Sequence, residues 1–264
     1  MISSGFLHKM AVYQDKPVKY YLNTEEDLFF LNELMGRKFK ITYLGDIKCF
    51  CGKLVNNVFR MNFCYNCYYT LPEASEAILK PELSKAHLGI EERDLESEKA
   101  YQLQPHTVYL AISGGLKVGV TRTSQQITRW IDQGAIKALP ILHTSNRYEA
   151  GVWEVELKKI FSDKTAWREM LRWNDPDVDL LAEKNKILET FRDRQNEFLD
   201  HSELFTFEYP SLEKPDKITT INIETKKSVE GILTGIRGQY LILDNNKVFN
   251  IRTYEGRHVE IEIT

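Results

Sequence analysis

Apolar and polar residues follow a different rhythm in four successive stretches of this chain. In the first, VKYYL reads as a strand. EEDLFFLNELMG takes helical spacing and stops at Gly36, and RKFKITYLG alternates like a half-buried strand. The second stretch begins at residue 105. PHTVYLAISGGLKVGVTR predicts two strands joined at a Gly-Gly turn, and SQQITRWIDQGA a helix closing at Gly134. KALPILHTS predicts a third short strand. NRYEAGVWEVELKKIF returns to helical spacing, with Ala150, Trp153 and Leu157 on one face.

The third stretch, 165–200, reads as helix on both sides of Pro176. An apolar stripe there runs through Leu180, Leu181, Ile187, Leu188, Phe191 and Phe198. From 216 the period falls to two. KITTINIE, SVEGILTGIR, QYLILD, KVFNIR and HVEIEIT predict five short strands, enough for a small β-barrel or sandwich that the early KFKITYL strand completes. Between the first two stretches, 71–104 is polar, with EERDLESEKA the most charged part, and predicts a solvated helix or a connector. The class is α+β. The expected organisation is an N-terminal β and cysteine region with its connector (1–104), a β-β-α-β-α domain (105–173), a helical segment (174–214) and a small all-β domain (215–264).

All four cysteines fall in KCFCGKLVNNVFRMNFCYNCYY, as Cys49-x-Cys51-Gly52 and Cys64-x-x-Cys67. The paired spacing is that of a zinc knuckle or ribbon, since Zn²⁺ favours four thiolates in a tetrahedron. The first pair is one residue tighter than usual. LVNNVFRMNF is expected to form a hairpin joining the two pairs. Two disulfides or four free thiols are the alternatives. The N-terminus has no signal-peptide pattern and no apolar run reaches membrane-span length, so a cytoplasmic location without a membrane is expected, where clustered thiols more often bind metal. A four-thiolate zinc site has no open position and is structural, not catalytic.

Overall charge changes the picture little: 35 Lys and Arg against 38 Asp and Glu give a net −3, which excludes a generally basic coat for nucleic acid. Locally, Thr107 to Lys164 holds eight cations (Lys117, Arg122, Arg129, Lys137, Arg147, Lys158, Lys159, Lys164) and five anions (Asp132, Glu149, Glu154, Glu156, Asp163).

The blocks QPHTVYLA, LKVGVT, TRWIDQGAIKALPI, YEAGVWEVELKK and DKTAWREML, and more loosely CFCGK and GIRGQYLIL, resemble the DUF2797 family of bacterial proteins. The β-β-α-β-α order resembles the GIY-YIG nuclease superfamily. That resemblance implies metal-assisted phosphodiester cleavage on DNA or structured RNA. Val108-Tyr109-Leu110 matches the first motif strand and Lys117-Val118-Gly119 the second. Arg129 matches the helical arginine, and Glu154 the glutamate that holds Mg²⁺ or Mn²⁺. Two departures stand out. Lys117 replaces the usual second tyrosine, and a lysine is a poor base unless desolvated. The interval from Gly119 to Arg129 is about two residues longer than in familiar members of the superfamily.

Plainer readings accompany each residue. Tyr109 is a core aromatic, Arg129 pairs with Asp132 or Glu149, and Glu154 shares a solvated face with Glu156, Lys158 and Lys159. Trp130, Trp153, Trp167 and Trp173 pack in cores rather than stack on bases. His106 caps or fills a core. The functional expectation is a zinc-containing nucleic-acid-binding protein with nuclease chemistry. A non-catalytic nucleic-acid-binding module and a protein-interaction scaffold are the alternatives.

Overall fold

The computed structural model describes every residue from Met1 to Thr264. The chain divides into two compact units, the first comprising Met1–Tyr68, Leu171–Trp173 and Phe207–Thr264, the second Tyr69–Met170 and Asn174–Thr206. No helix is long and apolar enough to cross a membrane.

The first unit is built on an eight-stranded sheet whose central member is the long strand Lys38–Lys48. Its neighbours are antiparallel, Arg257–Ile263 on one side and Ser228–Arg237 on the other. The alternation predicted for KFKITYL is present: Phe39 and Ile41 are buried while Lys38 and Lys40 face outward, Lys40 bonding Glu262 across the strands. Strand Ser228–Arg237 pairs its first half with Lys38–Lys48 and its second half with Tyr240–Leu243, shifting register between Leu233 and Gly235. Such a bulge lets one strand turn from one partner to the next.

The predicted C-terminal barrel or sandwich is thus corrected. The late strands join the early ones in an open path running from Ile2–Phe6 to Thr219–Thr220, and no barrel closes. KITTINIE also differs, keeping only Thr219–Thr220 as strand before a turn of helix, Ile223–Lys226, capped by Asn222. EEDLFF is likewise not helical. Thr24 closes a tight turn with Asp27, accepting its amide at 3.0 Å, so Leu28–Phe30 folds back on Lys19–Asn23 and Phe30 stacks on Tyr21. The side-chain turn and the cross-strand aromatic pair outweigh helical spacing in so short a segment.

The second unit holds the β-β-α-β-α order: strands His106–Ile112 and Leu116–Arg122, helix Gln126–Asp132, strand Lys137–Thr144 and helix Arg147–Leu157. His106–Ile112 is central and antiparallel to both neighbours, and all seven of its residues are buried. One face turns Val108, Leu110 and Ile112 into a core with Ala150, Trp153 and Leu157 of the following helix. The other carries Tyr109 edge-on against Trp130. Helix Arg147–Leu157 starts where a reciprocal cap demands: Asn146 accepts from the amide of Glu149, and the Glu149 carboxylate accepts from the amide of Ser145. Of the predicted 180–198 stripe, Leu180, Ile187 and Phe198 are buried, but Leu181 lies 46% exposed on the far side of its helix.

Candidate functional site

The two groups of residues singled out in the sequence occupy separate units. In the first unit, strand Lys38–Lys48 pairs with Leu54–Val55, and the turn between them presents Cys49 and Cys51. The Gly52 amide closes that turn on the Cys49 carbonyl at 2.8 Å with φ of 82°, a conformation glycine adopts without strain. The expected hairpin between the pairs is absent. Leu54–Val55 is short, and 59–63 forms a separate tight turn with left-handed Met61 and Asn62. Arg257, itself ion-paired to Glu224 at 2.8 Å, donates to the Asn62 side chain and pins this turn to the sheet. Cys64 and Cys67 then sit at the start of helix Tyr65–Thr70.

The second pair therefore opens a helix, unlike the paired hairpins of a ribbon. All four sulfurs lie within 4.8 Å of one another and all four thiols are free. A zinc tetrathiolate sets its sulfurs about 3.8 Å apart at ordinary bond lengths, so the donor set fits a metal such as zinc with little adjustment. The Cys64 amide already donates to the Cys49 sulfur at 3.1 Å. Hydrogen bonds from the Cys67 amide and thiol bring the Cys64 thiol down to about 7, and the Lys53 amide lowers Cys51. Burial raises Cys67.

In the second unit, Tyr109, Lys117, Arg129 and Glu154 come together. Tyr109 is fully buried, donates its hydroxyl to Gln133 at 2.9 Å and interacts with the Arg129 guanidinium. Its ring folds over Gly119, the residue opposite it on the next strand. A Cβ at 119 would sit 2.7 Å from the tyrosine oxygen. Burial raises the phenol above its ordinary value. Lys117 is 3% exposed and donates to the Thr165 hydroxyl at 3.1 Å. Burial, reinforced by Arg129 and opposed by Glu154 and Asp163, lowers its amine from 10.5 to about 8. Glu154, 8% exposed, is raised by burial against the pull of Lys158 at 3.4 Å. Arg129 is half-buried, the most exposed of the four.

The plainer readings fare unevenly. Glu154 is buried, whereas Glu156 and Lys159 form the exposed pair at 2.7 Å. Glu149, offered as a partner for Arg129, is occupied by the cap. Trp153 is core, its indole donating to Glu197 at 3.1 Å and Arg194 stacked on its ring. His106 is buried, bonded through Nδ1 to the Gln104 carbonyl, and burial lowers it to about 4.

Sequence reasoning did not name Thr165, and it counted Asp163 and Lys158 among the local charges without placing them at the site. Segment 162–165 runs beside Leu116–Arg122, with Val118 donating to the Ser162 carbonyl at 2.8 Å, and places Asp163 3.2 Å from Lys158. Only the Glu154–Lys158 spacing of four carried a signal. Two clefts of the second unit lie elsewhere, one of about 260 Å³ bounded by Lys137, Asp177 and Leu204. Being mostly exposed carboxylate and aliphatic, it brings no convergent chemistry.

No curated protein and no solved structure matches the chain significantly. The family model described as "Protein of unknown function (DUF2797)" matches residues 36–259, which takes in the cysteine cluster, the buried lysine cluster and most of the open sheet. The chain belongs to the DUF2797 family.

Proposed function

We propose that the second unit binds nucleic-acid phosphate at Arg129 and cleaves the phosphodiester with a divalent cation and Lys117 as proton acceptor, while the cysteine cluster holds a structural zinc. The observation that carries this reading is the buried amine of Lys117, held near 8 beside Arg129 and Glu154. A fold places a lysine there at a cost in stability, and such perturbed groups concentrate where chemistry is done.

The lysine at the tyrosine position becomes intelligible in this light. At pH 7 about a tenth of the Lys117 amines are neutral and able to accept a proton from an attacking water. Thr165 fixes the direction of that amine. Arg129, the most exposed member, offers its guanidinium to the phosphate oxygens, where charge develops. Glu154 is the residue that would hold Mg²⁺ or Mn²⁺, since one carboxylate with waters and phosphate oxygens makes a normal magnesium set. Bound there, the ion would neutralise charge on the phosphate group. Lys158 would then leave Glu154 for Asp163, which it already touches. Tyr109, wholly buried, acts by positioning Arg129 rather than by touching substrate.

A second reading, binding without cleavage, is favoured by the same burial of Tyr109, which leaves no tyrosine to orient water. Labelled single- and double-stranded DNA and structured RNA, incubated with Mg²⁺, Mn²⁺ or EDTA, separate the two. Metal-dependent products lost in Arg129→Ala and Glu154→Ala support cleavage. A mobility shift that persists in EDTA without products supports the binder. Neither shift nor products at low salt removes both and leaves a protein-interaction role.

A further inference from the structure

The cysteine module exposes more aromatic surface than its small core requires. Phe50, inside the Cys49–Cys51 turn, and Tyr65, at the start of the helix carrying Cys67, are each 67% exposed. Phe59, 43% exposed, lies edge-on to both Tyr65 and Tyr68. Arg60 sits over the rings of Phe59 and Tyr68. Leaving such rings in water forfeits burial energy that the fold collects elsewhere, as at Trp130 and Tyr109.

The surroundings indicate what would cover them. No Asp or Glu occurs between Asp46 and Glu73, while Lys53, Arg60, Asn56, Asn57 and Asn66 are all exposed there. Lys48 is excluded from this account because Glu25 neutralises it at 2.6 Å. Exposed rings, two cations and three amides, on a stretch of sequence without a carboxylate, match an unpaired polynucleotide: bases stack on rings, phosphates meet cations and amides reach base edges. A zinc tetrathiolate would itself carry two negative charges, which Lys53 and Arg60 offset. Stacking, more than charge, must therefore supply the affinity.

We propose that Phe50 and Tyr65, flanked by Lys53 and Arg60, form a stacking platform for single-stranded nucleic acid on the cysteine module. The platform is distinct from the cluster around Lys117 and requires no cleavage, so its failure and the failure of the phosphodiester reading are separable.

The test uses the full chain with its zinc content verified, in the Glu154→Ala background so that no strand is cut. Short fluorescein-labelled oligothymidylate and oligouridylate, and a duplex of equal length, are titrated by fluorescence anisotropy. Single strands should bind more tightly than duplex. Phe50→Ala and Tyr65→Ala should each weaken them by about five-fold or more, the loss of one stacked base, while Tyr65→Phe and Phe50→Trp bind like the parent. Two phosphate contacts predict a slope of log affinity on log salt of about −1.4. Should Phe50→Ala shed zinc, Tyr65→Ala decides, its own zinc content verified because Tyr65 lies between Cys64 and Cys67.

The proposal is overturned by equal affinity for single strand and duplex, or by zinc-loaded alanine variants that bind like the parent. Loss in Tyr65→Phe equal to that in Tyr65→Ala also overturns it, because a ring would not then be the binding element. So does an absence of binding to every oligomer.

Discussion

Replacing Lys117 with methionine removes a charge that the second unit buries at a cost, and it should make the protein more stable. The amine falls from 10.5 to about 8 on folding, chiefly through burial. At 1.36 kcal/mol per unit this penalises the charged form by about 3 kcal/mol. Methionine fills a similar volume without a charge, but forfeits the hydrogen bond to Thr165, worth about 1 kcal/mol. Glu154 keeps Lys158 as its counter-charge. The net gain is about 2 kcal/mol at pH 7, or about 4–8 °C in Tm for a chain of this size.

The pH dependence fixes the cause. Below about pH 8 the amine is protonated in both folded and unfolded chains, so the wild type bears the full penalty. Between about 8 and 10.5 the unfolded chain binds more protons than the folded one, and wild-type stability rises relative to the variant. Thermal melts of Lys117→Met and wild type at pH 7 and in steps to pH 10.5 should therefore show a gap that closes as pH rises. Other titrating groups cancel in that difference. A variant less stable than wild type at pH 7, or a gap independent of pH, would refute the reasoning.

Three further outcomes follow from the same structure. Gly119→Ala should lose about 1–3 kcal/mol, because its new methyl meets the Tyr109 hydroxyl at 2.7 Å; chemical denaturation measures this, and a neutral substitution would deny the packing described. Removing the metal with a strong chelator, or changing Cys49 to Ser, should lower the melting temperature of the first unit and release about one zinc per chain by elemental analysis; a chain that purifies without metal and melts unchanged would contradict the assignment. Asp94→Ala should cost about 1 kcal/mol, since Asp94 caps helix Leu95–Gln102 by accepting from the Ser97 amide at 2.8 Å.

The sequence carried much of this where periodicity was long and unambiguous. The five elements from His106 to Leu157 were legible because a Gly-Gly turn, a stop at Gly134 and a helical stripe coincide with regular alternation. The cysteine pairs were legible as a group because spacing alone brings them together. Misreadings arose where local chemistry or distant pairing decides. Thr24 turns EEDLFF into a hairpin, and Asn222 turns KITTINIE into a capped helix. The partner strands of Ser228–Arg237 lie far apart in sequence, so nothing in its alternation told a barrel from an open sheet shared with Lys38–Lys48. At the candidate site, Lys117 read as a defect because its pKa depends on burial, which a strand pattern of LKVGV does not reveal. Asp163, whose charge acts on it, and Thr165, which accepts its hydrogen bond, lie in a segment without periodicity.

The most direct test of the account is the pH profile of metal-dependent cleavage of a labelled nucleic acid by the full-length chain between pH 6 and 9.5. With Lys117 as the proton acceptor, the rate should climb about tenfold per pH unit and level off near 8, and Lys117→Met should abolish the climb while melting higher than wild type. No cleavage under any metal, or a profile that Lys117→Met leaves unchanged, would contradict it.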